Sequence, residues 1–141
     1  MGYLIDTNVL SEMRKGSRGN SHVRTWAVRA RTNDLCLSVL VVAEVRRGIE
    51  SIRRTDAAQA AVLDDWLVRV VESFGERILP ITLPIADRFA RLSVPDRIPF
   101  VDGLLAATAL EHGLVLVTRN LRDVARTGVR LLDPFEPSPS G

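Results

Sequence analysis

Short flat apolar runs alternate with amphipathic stretches along the whole chain. Gly2-Tyr3-Leu4-Ile5 has no polar alternation, the pattern of a parallel strand buried on both faces. A helix is expected from Thr7 to about Lys15, with Val9, Leu10 and Met13 on one side. Gly16 to Asn20 is a loop by composition, and Ser21 is placed to N-cap a second helix with Val23, Trp26, Ala27 and Ala30 as its stripe. Leu35-Cys36-Leu37 predicts a second buried strand. Ser38 then caps a helix from Val39 to Arg54, apolar in its first half and basic in its second. Thr55 or Asp56 opens a long helix that runs to Phe74 and is closed by Gly75. Ile78-Leu79-Pro80-Ile81 is a third strand, at the sheet edge because proline cannot donate to the ladder.

The second half continues the alternation. A short helix spans Ile85 to Leu92, and Pro95 to Pro99 form a stiff loop. An Ala- and Leu-rich helix from Val101 to His112 ends at Gly113, and Leu114 to Thr118 form the clearest strand. Asn120 to Arg126 predict a short helix, Val129 to Leu132 a last strand, and Pro134 to Gly141 a frayed tail. This order predicts an α/β fold with a parallel sheet covered on both faces. One domain over residues 1–135 with a disordered tail at 136–141 is the expected organisation.

Composition narrows the picture. The 141 residues are 46% hydrophobic and 26% charged, which excludes a disordered chain. No apolar run reaches the roughly 18–20 residues of a membrane span, and no basic-then-apolar leader opens the sequence. Cys36 is the single cysteine, so no internal disulfide is expected, and the expected location is cytoplasmic. All but one of the 19 Lys and Arg residues are arginine, the exception being Lys15, against 17 acids. The charge is compatible with nucleic acid and says no more than that.

The candidate chemistry lies where strands end. In doubly wound sheets, ligands bind beyond the carboxyl ends of the strands where the strand order reverses. Asp6 follows the first strand directly, Asn120 follows the fourth, and Asp123 lies three residues further on. Asp102 sits in the first turn of the helix feeding that strand, and Glu44 lies among Val41, Val42 and Val45 in the helix after the second strand. Asp6 or Asp102 alone could simply favour a helix N-terminus. Glu44 in an apolar helix half must find a partner, because a bare buried carboxylate is costly. Gathered in one crevice, these acids would raise one another's pKa, and a divalent cation would relieve the conflict. An all-oxygen set suits Mg2+ or Mn2+ and argues against zinc. Metal-assisted hydrolysis of a nucleic-acid backbone is the chemistry implied.

Four segments in order carry a resemblance. Leu4-Ile5-Asp6-Thr7-Asn8-Val9-Leu10-Ser11-Glu12, Ser38 with Ala43-Glu44-Val45 and Gly48, Asp102-Gly103-Leu104-Leu105-Ala106-Ala107-Thr108-Ala109, and Val117-Thr118-Arg119-Asn120-Leu121-Arg122-Asp123 together resemble the PIN-domain family. The likeness is to its VapC-like ribonuclease toxins of toxin–antitoxin pairs, and it runs from residue 3 to about residue 135. It implies a three-layer α/β/α sandwich with a five-stranded parallel sheet in the order 3-2-1-4-5. It further implies that Asp6, Glu44 and Asp102 hold one or two Mg2+ or Mn2+ ions, and that Thr7, Asn8 and Thr118 orient those acids. Many relatives have Asp where Asn120 stands; a second pattern has Asn there and an acid three residues on, as Asp123 is. The catalytic set is thus Asp6, Glu44, Asp102, Asn120 and Asp123, with Asp6, Glu44, Asp102 and Asp123 as metal ligands. An RNA substrate and a cognate small antitoxin are the partners the resemblance implies.

Other readings are weighed against this one. A phosphoacceptor receiver domain needs a lysine at the end of its last strand, and Lys15 lies in the first helix. A haloacid-dehalogenase-like phosphatase needs Asp-x-Asp, and the chain has Asp6-Thr7-Asn8. The serious rival is a PIN scaffold that binds RNA or protein without cutting, although a pure binder gains nothing from three repelling acids. Trp26 and Trp66 are expected as core or interface anchors and Cys36 as packing; His22 and His112 are not expected in catalysis. Arg46, Arg47, Arg53 and Arg54 form either a solvated face or a docking site for an acidic partner or RNA, and Phe100 is expected beneath the site. Met13, Trp26, Ile49, Ile52 and Leu63 exceed what one sheet face covers, which predicts an exposed apolar surface for a homodimer and a partner segment.

Overall fold

In the computed structural model, which describes residues 2–137, the first apolar run forms β1 (Tyr3–Ile5) in the centre of a five-stranded parallel sheet. The other strands are β2 (Leu35–Ser38), β3 (Ile78–Leu79), β4 (Val115–Val117) and β5 (Leu131–Leu132), in the order β3-β2-β1-β4-β5. Tyr3, Leu4 and Ile5 pair with Val115, Leu116 and Val117. Leu4, Ile5, Leu37, Leu116 and Val117 are buried, as strands covered on both faces require. Pro80 ends β3, which is the edge strand its proline predicts.

Six helices cover the sheet: α1 (Thr7–Arg14), α2 (Ser21–Arg29), α3 (Val39–Arg53), α4 (Ala57–Phe74), α5 (Leu83–Leu92) and α6 (Phe100–His112). The chain steps from β1 to β2 to β3 in one direction, then returns across β1 to β4. Right-handed crossovers therefore put α1–α4 on one face and α5–α6 on the other. The packing follows that division: α1 meets α2 and α3, α3 meets α4, and α5 meets α6. This is an α/β/α sandwich whose strand order reverses between β1 and β4.

Local signals set most helix ends. Ser38 Oγ accepts from Leu40 N at 3.0 Å, and Asp56 Oδ1 accepts from Gln59 N at 3.0 Å. Gly113 ends α6 with φ 65°, a left-handed cap that glycine adopts without a Cβ penalty. Ser21 is not the cap of α2; it is the first helical residue. Asn20 takes the role, because its Oδ1 reaches both His22 N at 2.8 Å and Val23 N at 3.2 Å.

Several expectations need correction. Asn120 to Arg126 form no α-helix. Val124 N bonds Leu121 O and Thr127 N bonds Val124 O, three-residue steps that leave turns and a 3-10 segment at Ala125–Thr127. So short a stretch does not recover the cost of helix nucleation, and the Asn120 backbone N–H and amide are engaged elsewhere. The expected fraying from Pro134 onward does not begin there: Pro134 is buried and Phe135 packs against the core. Residues 138–141 of the expected tail lie outside the described residues. Phe100 does not lie beneath the acids but is 64% exposed, edge-on to Phe89 at 5.4 Å.

The anticipated apolar surplus is mostly core. Trp26, Ile49 and Leu63 are buried, with Met13 and Ile52 packed against them, because α4 folds back over α3. Trp26 meets Tyr3 edge-on at 5.5 Å. Trp66 is half-buried, with the Arg14 guanidinium 5.8 Å from its ring centre. The arginine cluster divides. Arg46 and Arg53 both pair with Asp64 on α4, at 2.6 and 2.7 Å, and with Glu50, while Arg47 and Arg54 are exposed.

Candidate active site

Asp6 leaves β1 in extended conformation and N-caps α1, with Oδ1 accepting from Thr7 N at 2.7 Å. Its backbone N–H donates to Val117 O at 2.9 Å, which continues the β1–β4 ladder and brings Thr118 alongside. The buried Thr118 hydroxyl donates to Asp6 Oδ2 at 2.7 Å and accepts from Asn120 N at 3.0 Å. Asn8 Nδ2 approaches Asp6 Oδ2 at 3.4 Å, and Asn8 Oδ1 accepts from Arg119 N at the same distance. Both oxygens of Asp6 are thus tied to the ends of the two central strands. The helix-capping role and the site role of Asp6 coexist in one side chain.

Glu44 finds the partner its surroundings demand. Thr7 Oγ1 donates to Glu44 Oε1 at 2.6 Å, joining α1 to α3 across the crevice. On the opposite side, Asn120 Nδ2 donates to Asp102 Oδ2 and to Asp123 Oδ2, each at 2.9 Å. One amide group, with two hydrogens, therefore holds two carboxylates in place. Hydrogen bonds link all eight anticipated residues into one network beyond the carboxyl ends of β1, β2 and β4. Asn120 and Asp123 do not compete for one position; they are adjacent members of one network.

Burial is the largest force on the ionisation of Asp6 and raises its pKa, with repulsion from Glu44 adding and the bonds from Thr118 and Thr7 opposing. Asp102 is pushed up to about 6, first by burial, then by the negative charges of Asp6, Asp123 and Glu44, against the Asn120 bond. Mutual repulsion is present as expected but is secondary to burial. No three His, Cys, Asp or Glu side chains among the described residues are gathered closely enough to hold an ion as they stand. The donors fit a hard cation nonetheless: they are carboxylate oxygens in partial burial, with charge to be relieved. Mg2+ commonly takes only one or two carboxylates and fills its remaining positions with water, so a closed cage is not required.

The Asn120 bridge makes two substitutions separable. Asn120→Ala removes the donor shared by Asp102 and Asp123, and turnover is expected to fall about tenfold or more with a smaller change in Mg2+ affinity. Asp123→Ala removes a charge, and Mg2+ affinity is expected to fall while the fold stays intact. Magnesium titration of cleavage rate for both variants distinguishes them; wild-type behaviour of Asp123→Ala in rate and affinity would make that residue a structural acid only.

Sequence reasoning missed one neighbour of the site. Arg119 Cζ lies 3.7 Å from the ring centre of Phe135, a residue assigned to the frayed tail. An aromatic three residues after the last strand was the available signal.

Comparison with known proteins gives a consistent set of likenesses. Residues 3–129 match the PIN domain family. The chain is 30% identical over 138 residues to toxin FitB of Neisseria gonorrhoeae, covering 94% of this chain and 97% of that one. It is 30% identical over 145 residues to VapC ribonuclease Y4jK of Sinorhizobium fredii, covering 96% and 99%. Its fold superposes on the crystal structure of FitAcB from Neisseria gonorrhoeae with a TM-score of 0.85 at 30% identity, over 94% of this chain and 98% of that chain.

Proposed function

Because the chain belongs to the PIN-domain family, we propose that it is a divalent-metal-dependent endoribonuclease and the toxin of a toxin–antitoxin pair. The observation that carries this reading is the convergence of Asp6, Glu44, Asp102 and Asp123 at the switch point, each fixed by Thr118, Thr7 or Asn120. These four acids would hold Mg2+ or Mn2+, one or two ions. When bound, the ion would supply positive charge to the phosphodiester and make water a stronger nucleophile at neutral pH.

The residues of the chain do the positioning. Thr118 and the Thr7 N–H lock both oxygens of Asp6, so this carboxylate needs no reorganisation when substrate arrives. Thr7 Oγ1 holds Glu44 toward the same crevice, and the Asn120 amide holds Asp102 and Asp123 side by side. In the reaction, water adds to phosphorus and gives up one proton, a P–O bond of the RNA backbone breaks, and the departing oxygen takes up a proton in turn.

The cognate partner fits a second feature. A groove of about 270 Å³ between α1, α3 and α4 is lined by Thr7, Glu44, Ile52, Leu63 and Trp66 and borders the acids. A short antitoxin segment lies there, its apolar side chains against Ile52 and Trp66 and an Arg or Lys near Asp6 and Asp102. Charge pairing of that kind suppresses the metal site, and it weakens with salt where the apolar contacts do not. The protein works in the cytoplasm as a homodimer, with exposed Val39, Val68 and Val71 as apolar surface for the second copy.

Purified protein with total RNA is expected to produce new 5′ ends in Mg2+ or Mn2+ and none in EDTA. Co-expression with the gene immediately upstream is expected to give a co-purifying chain that suppresses this activity. Absence of metal-dependent cleavage would leave the non-cleaving scaffold as the reading. A monomer by light scattering that captures no inhibitory chain would remove the toxin–antitoxin role.

A further inference from the structure

A crevice of four acids repels the polyanion it is meant to cut. An RNA strand that reaches Asp6, Glu44, Asp102 and Asp123 gains from a cation at the same end of the sheet that is not already paired with an acid. Arg46 and Arg53 are committed to Asp64 and Glu50. Arg14 and Arg119 each lie against an aromatic ring instead, Arg14 loosely, at 5.8 Å from the Trp66 ring centre, and Arg119 closely, at 3.7 Å from that of Phe135.

Arg119 lies between the two residues that organise the site: Thr118, which holds Asp6, and Asn120, which holds Asp102 and Asp123. Its backbone N–H donates to Asn8 Oδ1, which fixes the main chain. Its guanidinium carbon stands 3.7 Å from the centre of the Phe135 ring, and among the described residues that ring is its only side-chain partner. Phe135 is itself held, with its N–H donating to Asp133 Oδ1 at 2.9 Å and its ring against the main core. A guanidinium over an aromatic face has one surface covered while its N–H donors, which lie in its plane, remain available at the rim. The side chain is exposed, and among the described residues none of its donors is bonded to a carboxylate. An ordinary exposed arginine would lose rotamer freedom on taking a phosphate; the ring has already reduced that loss.

The geometry points to Arg119 as a binding residue for the RNA backbone, its rim donors taking the oxygens of one phosphate of the strand that passes the acids and Phe135 serving as its platform. The inference rests on the ribonuclease reading for its substrate class. Arg122, exposed and without a ring or acid partner among the described residues, supplies the contrast: the same charge, three residues away, unplaced.

The test uses the full chain carrying Asp6→Asn, so that RNA is bound without being cut, and a fluorescein-labelled single-stranded RNA of mixed sequence read by anisotropy over a salt series. Adding Arg119→Ala is expected to weaken binding roughly tenfold at low salt and to flatten the log–log salt slope by about 0.7, one phosphate contact on a single strand. Phe135→Leu keeps the charge and is expected to weaken binding severalfold with the slope unchanged. Arg122→Ala is expected to cost clearly less than Arg119→Ala. Arg119→Lys, which retains the charge and cannot upset the fold, should keep the slope. An unchanged slope in Arg119→Ala, or equal losses for Arg119 and Arg122, overturns the inference. Wild-type protein that shows the Arg119-dependent slope but never cleaves overturns the ribonuclease reading alone; cleavage with an Arg119-independent slope overturns the inference alone. No RNA binding at all overturns both.

Discussion

Asp6→Asn is expected to abolish RNA cleavage, by about a thousandfold or more, while leaving the domain folded. Asp6 is 6% exposed and shares hydrogen bonds with Thr7 N and Thr118 Oγ1, so its geometry is over-determined. Asparagine has nearly the same shape. Its oxygen can accept from Thr7 N, and the Thr118 hydroxyl can rotate to accept from the new amide, because a hydroxyl both donates and accepts. The fold is therefore preserved where the charge is lost. Circular dichroism melting and cleavage of total RNA in Mg2+ separate the two effects. Undiminished cleavage by the variant, or full wild-type activity in excess EDTA, would sink the metal-dependent mechanism.

Asp102→Asn carries the second large effect, and its two consequences have opposite signs. Cleavage is expected to fall by a factor like that of Asp6→Asn, since Asp102 faces the same crevice through Asn120. Stability of the metal-free protein is expected to rise. The Asp102 pKa is raised to about 6 from an ordinary value of 3.8, so between those two pH values the folded protein binds a proton that the unfolded chain has released. Stability on this account is present at low pH and is lost as pH climbs from 3.8 through about 6. Asp6 is shifted in the same direction and adds to the slope. At pH 7 the asparagine variant escapes that loss, and its melting temperature without metal should exceed the wild type by roughly 2–4 °C. At pH 4 the two should melt together. Added Mg2+ should narrow the gap at pH 7 by stabilising only the wild type. A variant that melts below wild type at pH 7 would show that the Asp102 carboxylate is not held at a cost by its burial and the neighbouring acids.

The donors around the acids act against the cost of burying them. Thr118 donates to Asp6 and Asn120 to Asp102, two carboxylates buried beside like charges, and Thr7 donates to Glu44. Their hydrogen bonds oppose the desolvation that burial imposes.

Much of this molecule is determined locally and so by the sequence alone. Flat apolar runs specify buried strands, Ser38 and Asp56 specify helix starts, and Pro80 specifies the edge, because each rests on the conformational preferences of a few neighbouring residues. The four quoted segments carry the family likeness, and through it the acids, in the same way. What tertiary structure alone decided are contacts whose partners are far apart in the chain. Thr7 reaches Glu44 across 37 positions, and Thr118 reaches Asp6 across 112. The first exists because β2 pairs with β1 and sets α3 beside α1, the second because β4 pairs with β1, registers set by long-range packing and not by any local preference. The same cause overrode local reading at Asn120 to Arg126, where bonds to Thr118, Asp102 and Asp123 and three-residue turns replaced a helix. It acted again at Phe135, where the core and the Arg119 guanidinium hold a segment that composition marks as loose. Local propensity contributes tenths of a kilocalorie per residue, and a site whose groups are buried together outweighs it.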